Sequence, residues 1–174
     1  MRQIMSPILR SLPLIPLAAL LISAPVTAAP NGEFGWPLSP RPAVVRAFDK
    51  PDRDWLPGHR GVDLAGRPGQ TVHAAGDGTV VFAGKVAGKP VVSIDHAGGL
   101  RTTYEPVTAS VALGHRVIRG SPIGMLEPGH AECAAAACLH WGARRGHDYL
   151  DPLGLLHRAP IRLKPLAPAG ASQP

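Results

Sequence analysis

The 174-residue chain has few aromatic residues, 5%, and few charged ones, 17%. It carries two cysteines, Cys133 and Cys138, and only four of its 18 basic residues are lysine. Two cysteines rule out a disulfide-dense scaffold, and a zinc knuckle would need further Cys or His at knuckle spacing. The longest apolar stretch, Leu12 to Ile22, is interrupted by Pro13 and Pro16, whereas a membrane-spanning helix needs about 20 apolar residues. Glycine and proline are plentiful, at 20 each. They disfavour long helices and coiled coils and leave a turn-rich β domain or a partly disordered chain. The length suits one domain of ordinary size.

Residues 1–28 are laid out as a secretory signal peptide. Arg2 and Arg10 form a basic start with no acid, the apolar stretch follows, and Val26-Thr27-Ala28-Ala29 offers a cleavage site after Ala28. A buried helix opening the domain is the alternative reading. No cysteine follows the apolar stretch, so lipid attachment at a new N-terminal cysteine is excluded. The mature protein is therefore expected outside the cytoplasm, secreted and cell-wall associated, without stable membrane insertion. Losing Arg2 and Arg10 lowers the net charge from +6 to +4, with 16 basic against 12 acidic residues. That charge gives no reason to expect nucleic acid and only weakly favours an anionic polymer such as a cell wall. In an exported chain, Cys133 and Cys138, separated by Ala134 to Ala137, are expected to form a disulfide pinning a short loop.

The mature chain divides into a Pro/Gly-rich lead-in (29–57), a β core (58–156) and a Pro/Ala-rich tail (157–174). In the lead-in, Phe34 and Trp36 are expected to anchor a short strand, and Pro42 to Phe48 alternates as an edge strand. From His59 onward, short strands are predicted at Val62 to Leu64, Thr71 to His73, Thr79 to Ala83, Pro90 to Asp95, Leu100 to Tyr104, Arg116 to Ile118 and Ile123 to Leu126. Glycines punctuate them at the turns. The expected fold is an all-β sandwich or barrel, compact and single-domain, with irregular termini.

Two stretches could carry chemistry. In His59-Arg60-Gly61-Val62-Asp63, a His and an Asp four apart on a strand share one face and can address one ion. In Cys138-Leu139-His140, the Cys and His likewise share a face. Two imidazoles and a carboxylate are a frequent catalytic zinc set, with water in the fourth position. Eight histidines in a short chain also produce such pairs by chance, so a surface His beside a turn Asp remains open on this pattern alone.

From His59 to Leu153 the chain resembles the lysostaphin/LytM-type zinc endopeptidases, whose β core is called a duplicated hybrid motif. The matching elements run in order. They are His59-Arg-Gly-Val-Asp63, Gly69-Gln-Thr-Val-His-Ala-Ala-Gly-Asp-Gly78, Val91-Val-Ser-Ile-Asp-His96, Thr103-Tyr104, Gly114 to Gly124, His140 and Asp151-Pro152. Val117-x-x-Gly120-x-x-Ile123-Gly124 also resembles biotinyl and lipoyl carriers, but Lys85 and Lys89 lie in the wrong context for a modified lysine. The resemblance implies a Zn2+ ion held by His59, Asp63 and His140, which would polarise the scissile amide and activate water. It also implies hydrolysis of peptidoglycan stem or cross-link peptides by a secreted metallopeptidase, taken to be a monomer.

Two accessory family histidines are replaced. Cys138 stands at the first position of the His-x-His pair, and Pro106 stands at the position following Thr-x-Tyr-x. Proline has no side-chain donor, a disulfide-bonded cysteine has no acid–base role, and such help is typically worth about 10²–10⁴-fold. Strand alternation turns Glu105 away from the face of Tyr104 and position 106, which makes it a poor substitute. His73 and His96 could substitute or could be ordinary structural histidines. A reduced Cys138 could instead close the zinc site as a fourth ligand. Trp141 could stack on a sugar or peptide, with Arg144 and Arg145 attracting a carboxylate, or could pack in the core. The catalytic groups are thus unassigned, and a catalytically weakened zinc-binding domain that binds wall peptides or regulates another hydrolase is the alternative function.

Overall fold

A computed structural model describes residues 34–156 except Asp54, Ala131 and Glu132; the expected signal segment 1–28 and the expected tail 157–174 lie outside the described residues. Eleven strands are described: β1 (Val44–Arg46), β2 (Gly61–Gly66), β3 (Thr71–His73), β4 (Gly78–Val86), β5 (Lys89–Asp95), β6 (Leu100–Glu105), β7 (Val107–Ala109), β8 (Arg116–Val117), β9 (Pro122–Leu126), β10 (Ala137–Arg145) and β11 (Asp148–Leu150). The larger sheet has the order β1-β2-β10-β6-β5-β4-β8, with β11 paired to β10, and β3-β9-β7 form a second sheet. All the pairings are antiparallel. The fold is all-β.

Alternation explains how the larger sheet serves two purposes. Val62 and Leu64 on β2, Leu139 and Trp141 on β10 and Tyr104 on β6 are fully buried in one cluster with Val72, Ile123, Leu126 and Val107 of the second sheet. The residues between them, Asp63, His140 and Glu105, project from the opposite face. Trp141 is therefore a core residue and does not stack on ligand at a rim. Arg145 is exposed, and Arg144 donates to the Gly146 carbonyl at 2.8 Å.

Each of the seven strand segments predicted after His59 contains a strand, some of them longer or shorter than expected. Phe34 and Trp36 form none. Instead Phe34 sets its ring edge-on to His96 at 5.0 Å, and the Gly35 amide donates to the Ala75 carbonyl. In the lead-in, only Val44–Arg46 pairs as the edge strand. The nine-residue β10 was the principal strand without a turn-to-turn signal. Its alanine-rich entry has weak β propensity, and it forms because β2 and β6 flank it on both sides.

One polar thread crosses the core. His96 Nδ1 donates to the Asp77 carbonyl at 2.8 Å, so its Nε2 is free to accept from the Thr102 hydroxyl at 2.7 Å. Thr102 also bonds the Tyr104 hydroxyl at 2.9 Å, which accepts the Ala75 amide at 2.9 Å. Burial lowers the His96 imidazole below its ordinary value, against hydrogen bonding at Asp77. Burial pushes the Tyr104 phenol up to about 12 against its hydrogen bonds. Both groups are neutral structural members of the core. Tyr104→Phe should leave the Ala75 amide and Thr102 short of a partner and cost about 1–3 kcal/mol in chemical denaturation. At one end of the β5–β6 pair, Arg101 grips Asp95 through Nε and Nη2 (2.5 and 2.8 Å), and this bond chiefly holds the Asp95 carboxyl below its usual range. A lowered folded value means its stabilisation is complete above the unfolded carboxylate value and is lost as pH falls through the folded one. The pair is partly exposed, so Asp95→Asn should remove at most about 1 kcal/mol at neutral pH and flatten the acid limb of stability against pH.

Candidate metal centre

The β2–β10 ladder places His140 directly opposite Asp63. Directly opposed residues of an antiparallel pair share a face, with their Cβ atoms about 4.5–5.5 Å apart. His59 lies just ahead of β2, where a bridge between Asp49 and His59 fixes the backbone. Its Nδ1 approaches the Ala47 carbonyl at 2.6 Å. Gly61 leaves room for the His140 ring, since a Cβ there would lie 2.7 Å from His140 Nε2 and 2.6 Å from the Trp141 carbonyl oxygen.

Three ligand-type atoms converge. His59 Nε2 lies 3.0 Å from Asp63 Oδ1, His140 Nδ1 lies 2.9 Å from the same oxygen, and the two nitrogens are 3.0 Å apart. These are the one group of three metal-type side chains found among the described residues. His59 and Asp63 are buried, and His140 is half-buried.

This donor chemistry fits a cation. A carbonyl only accepts, so in the neutral ring the bond to Ala47 places the His59 proton on Nδ1 and leaves a lone pair on Nε2. That lone pair faces a carboxylate oxygen at 3.0 Å, a contact made favourable by positive charge between them, whether a proton or a metal cation. A backbone carbonyl on the remote nitrogen is also the usual way a metal-binding imidazole is oriented. Zinc bonds to nitrogen and carboxylate oxygen at about 2.0–2.2 Å, which in tetrahedral geometry separates neighbouring donors by about 3.3 Å. The observed spacings are therefore close to what such an ion requires. Burial works to raise the Asp63 carboxyl, but the His140 hydrogen bond and the nearby His130, His140 and His59 outweigh it and hold the group below its ordinary value.

The other predicted positions are placed as follows. Cys133 and Cys138 are joined in a disulfide, so Cys138 offers no thiolate to a metal. Pro106 is buried and follows a cis peptide bond from Glu105. His73 lies in the second sheet and His96 in the core thread, and neither belongs to the three-residue cluster. Glu105 corrects the sequence expectation. It points away from Tyr104, but His140 and Asp63 point away from the core as well. Glu105 pairs with His140 in register and shares the face of the cluster, with Oε1 2.9 Å from Lys89 Nζ.

One residue was missed altogether. His130 places Nε2 3.2 Å from Asp63 Oδ2, and its ring stacks on His140 with centroids 5.8 Å apart. No motif spacing marks it. The available signal was its place three residues before one end of the expected disulfide, whose other end lies two residues before His140.

Comparison with known proteins agrees with the fold. The chain is 59% identical over 154 residues to uncharacterized proteins of Mycobacterium tuberculosis and Mycobacterium bovis, covering 86% of this chain and 62% of theirs. It thus spans less than two thirds of the curated relatives it matches. Among solved structures, Csd3 of Helicobacter pylori superposes with a TM-score of 0.59 at 28% identity, covering 76% of this chain and 37% of that one. A chain of the SpoIIQ–SpoIIIAH pore-forming complex gives a TM-score of 0.60 at 27% identity, covering 72% and 91%. The catalytic domain of lysostaphin from Staphylococcus simulans shares the fold at 20% identity, with a TM-score of 0.54 and coverage of 66% and 92%. The sequence pattern of peptidase family M23 matches residues 57–152, more than half of the chain, and the chain belongs to that family.

Proposed function

We propose that this protein is an exported zinc metalloendopeptidase-like protein acting on peptidoglycan stem or cross-link peptides. The observation that carries the reading is the convergence of His59 Nε2, Asp63 Oδ1 and His140 Nδ1 at 2.9–3.0 Å, with the His59 lone pair aimed inward by the Ala47 carbonyl. Membership of family M23 supports the reaction class.

When bound, zinc supplies Lewis-acid activation of a carbonyl and of water. The chain supplies the rest. His59, Asp63 and His140 would hold the ion through two imidazole nitrogens and a carboxylate oxygen. Ala47 holds the His59 ring, the β2–β10 register sets the distance between Asp63 and His140, and Gly61 keeps space beside the His140 ring. On β6, Glu105 and its partner Lys89 extend the polar surface beside His140, and a peptide lying across this face would meet both charges.

A second reading has specific support. Pro106 and the oxidised Cys138 occupy the two positions where the resemblance places accessory histidines, and neither side chain exchanges a proton. A domain that binds wall peptides or regulates another hydrolase would tolerate both replacements.

Zinc binding is common to the two readings. The purified protein should bind one zinc per chain by elemental analysis, and Asp63→Ala should lose it; a stoichiometry well below one that reconstitution does not restore contradicts the ligand assignment. Zinc-loaded protein incubated with peptidoglycan should release free amines and new muropeptides, and Asp63→Ala should release none. Binding to sacculi without cleavage would favour the second reading.

A further inference from the structure

We propose that His130 is a positioning residue of the metal centre, holding the Asp63 carboxylate through Oδ2 so that Oδ1 alone faces the ion. The inference rests on the reading of His59, Asp63 and His140 as zinc ligands, and it gives a role to a residue outside that set.

The geometry divides the carboxylate cleanly. Oδ1 is the oxygen shared by His59 Nε2 and His140 Nδ1, and Oδ2 is the oxygen met by His130 Nε2 at 3.2 Å. A carboxylate oxygen only accepts, so His130 Nε2 carries the hydrogen in this contact. His130 is not a ligand by position, because the cluster whose donor atoms lie mutually close consists of His59, Asp63 and His140 alone among the described residues. It stands one layer behind them, where hydrogen-bond partners of ligating carboxylates fix orientation and tune affinity.

Two further observations favour a role in the site over simple packing. With Nε2 committed to Asp63, the buried Nδ1 has no hydrogen-bond partner among the described residues. A buried imidazole with one nitrogen unpaired there is costlier than an apolar ring of similar size, so its contact with Asp63 is the interaction that distinguishes it from packing. Cys133 and the His130 ring are both tied to β10. Cys133, three residues on, is bonded to Cys138 within β10, two residues before His140, and the His130 ring lies against the His140 ring. The disulfide thus ties the segment carrying His130 to the strand carrying a ligand. The cysteine at a replaced histidine position then has a use of its own, which is to anchor a different histidine against the centre.

Two substitutions of similar bulk separate hydrogen bonding from packing. His130→Gln keeps an N–H donor and loses the ring; His130→Phe keeps the ring and loses the donor. Zinc affinity is measured on the full chain by competition with a chromophoric chelator, and the cobalt-substituted proteins are compared by visible absorption. His130→Phe should bind zinc about 10–100-fold more weakly than the parent. Its cobalt bands should weaken, as expected when a released carboxylate swings to bind through both oxygens and raises the coordination number. His130→Gln should stay close to the parent in both measurements. Parent-like affinity and cobalt bands for His130→Phe, or an equal fall for His130→Gln, would overturn the proposal while leaving the three ligands intact. Failure of the parent to bind zinc would overturn the ligand reading and this inference together.

Discussion

The antiparallel pairing of Gly61–Gly66 with Ala137–Arg145 holds the site together, because it sets Asp63 opposite His140 across a sequence separation of 77. Strand periodicity is two, so a slip of one residue in β10 would turn His140 into the core and Leu139 and Trp141 outward. The same apolar residues that bury the inner face therefore fix the register of the outer one. Core packing and site geometry are one constraint: the hydrophobic pattern locates the face of the candidate site without any side chain on that face having to specify it.

His59 is governed differently. It lies outside the ladder and depends on two local contacts, the backbone bridge to Asp49 and the Nδ1 contact with Ala47. Both come from the lead-in, the segment whose composition gave the least reason to expect a role in the site. The lead-in is thus part of the candidate site's support as well as the sheet's edge. It shapes the centre by fixing which nitrogen of His59 carries the proton.

Much of this was legible in the sequence because glycine and alternation mark strand ends and faces directly. His59, Asp63 and His140 were recognisable from their order within a familiar pattern, and the structure brings them within 3.0 Å of one another. Other features depend on tertiary pairing that local sequence does not encode. Strand β10 was not delimited because its alanine-rich entry carries no strand signal of its own. Glu105 was misjudged because alternation relates it only to Tyr104; its relation to the ligands depends on which strand lies next to β6. His130 was missed because its contact with Asp63 joins positions 67 residues apart without any recurrent spacing.

Pro106 and the disulfide-bonded Cys138 exchange no proton, and the cluster of His59, Asp63 and His140 stands whole beside them. The disulfide commits Cys138 to structure, and the centre that remains is purely nitrogen and oxygen. X-ray absorption at the zinc edge of the loaded protein tests that account most directly. It predicts a first shell of nitrogen and oxygen scatterers at about 2.0–2.2 Å, with outer-shell scattering from two imidazoles. Sulfur at about 2.3 Å, or a shell without imidazole, would contradict it.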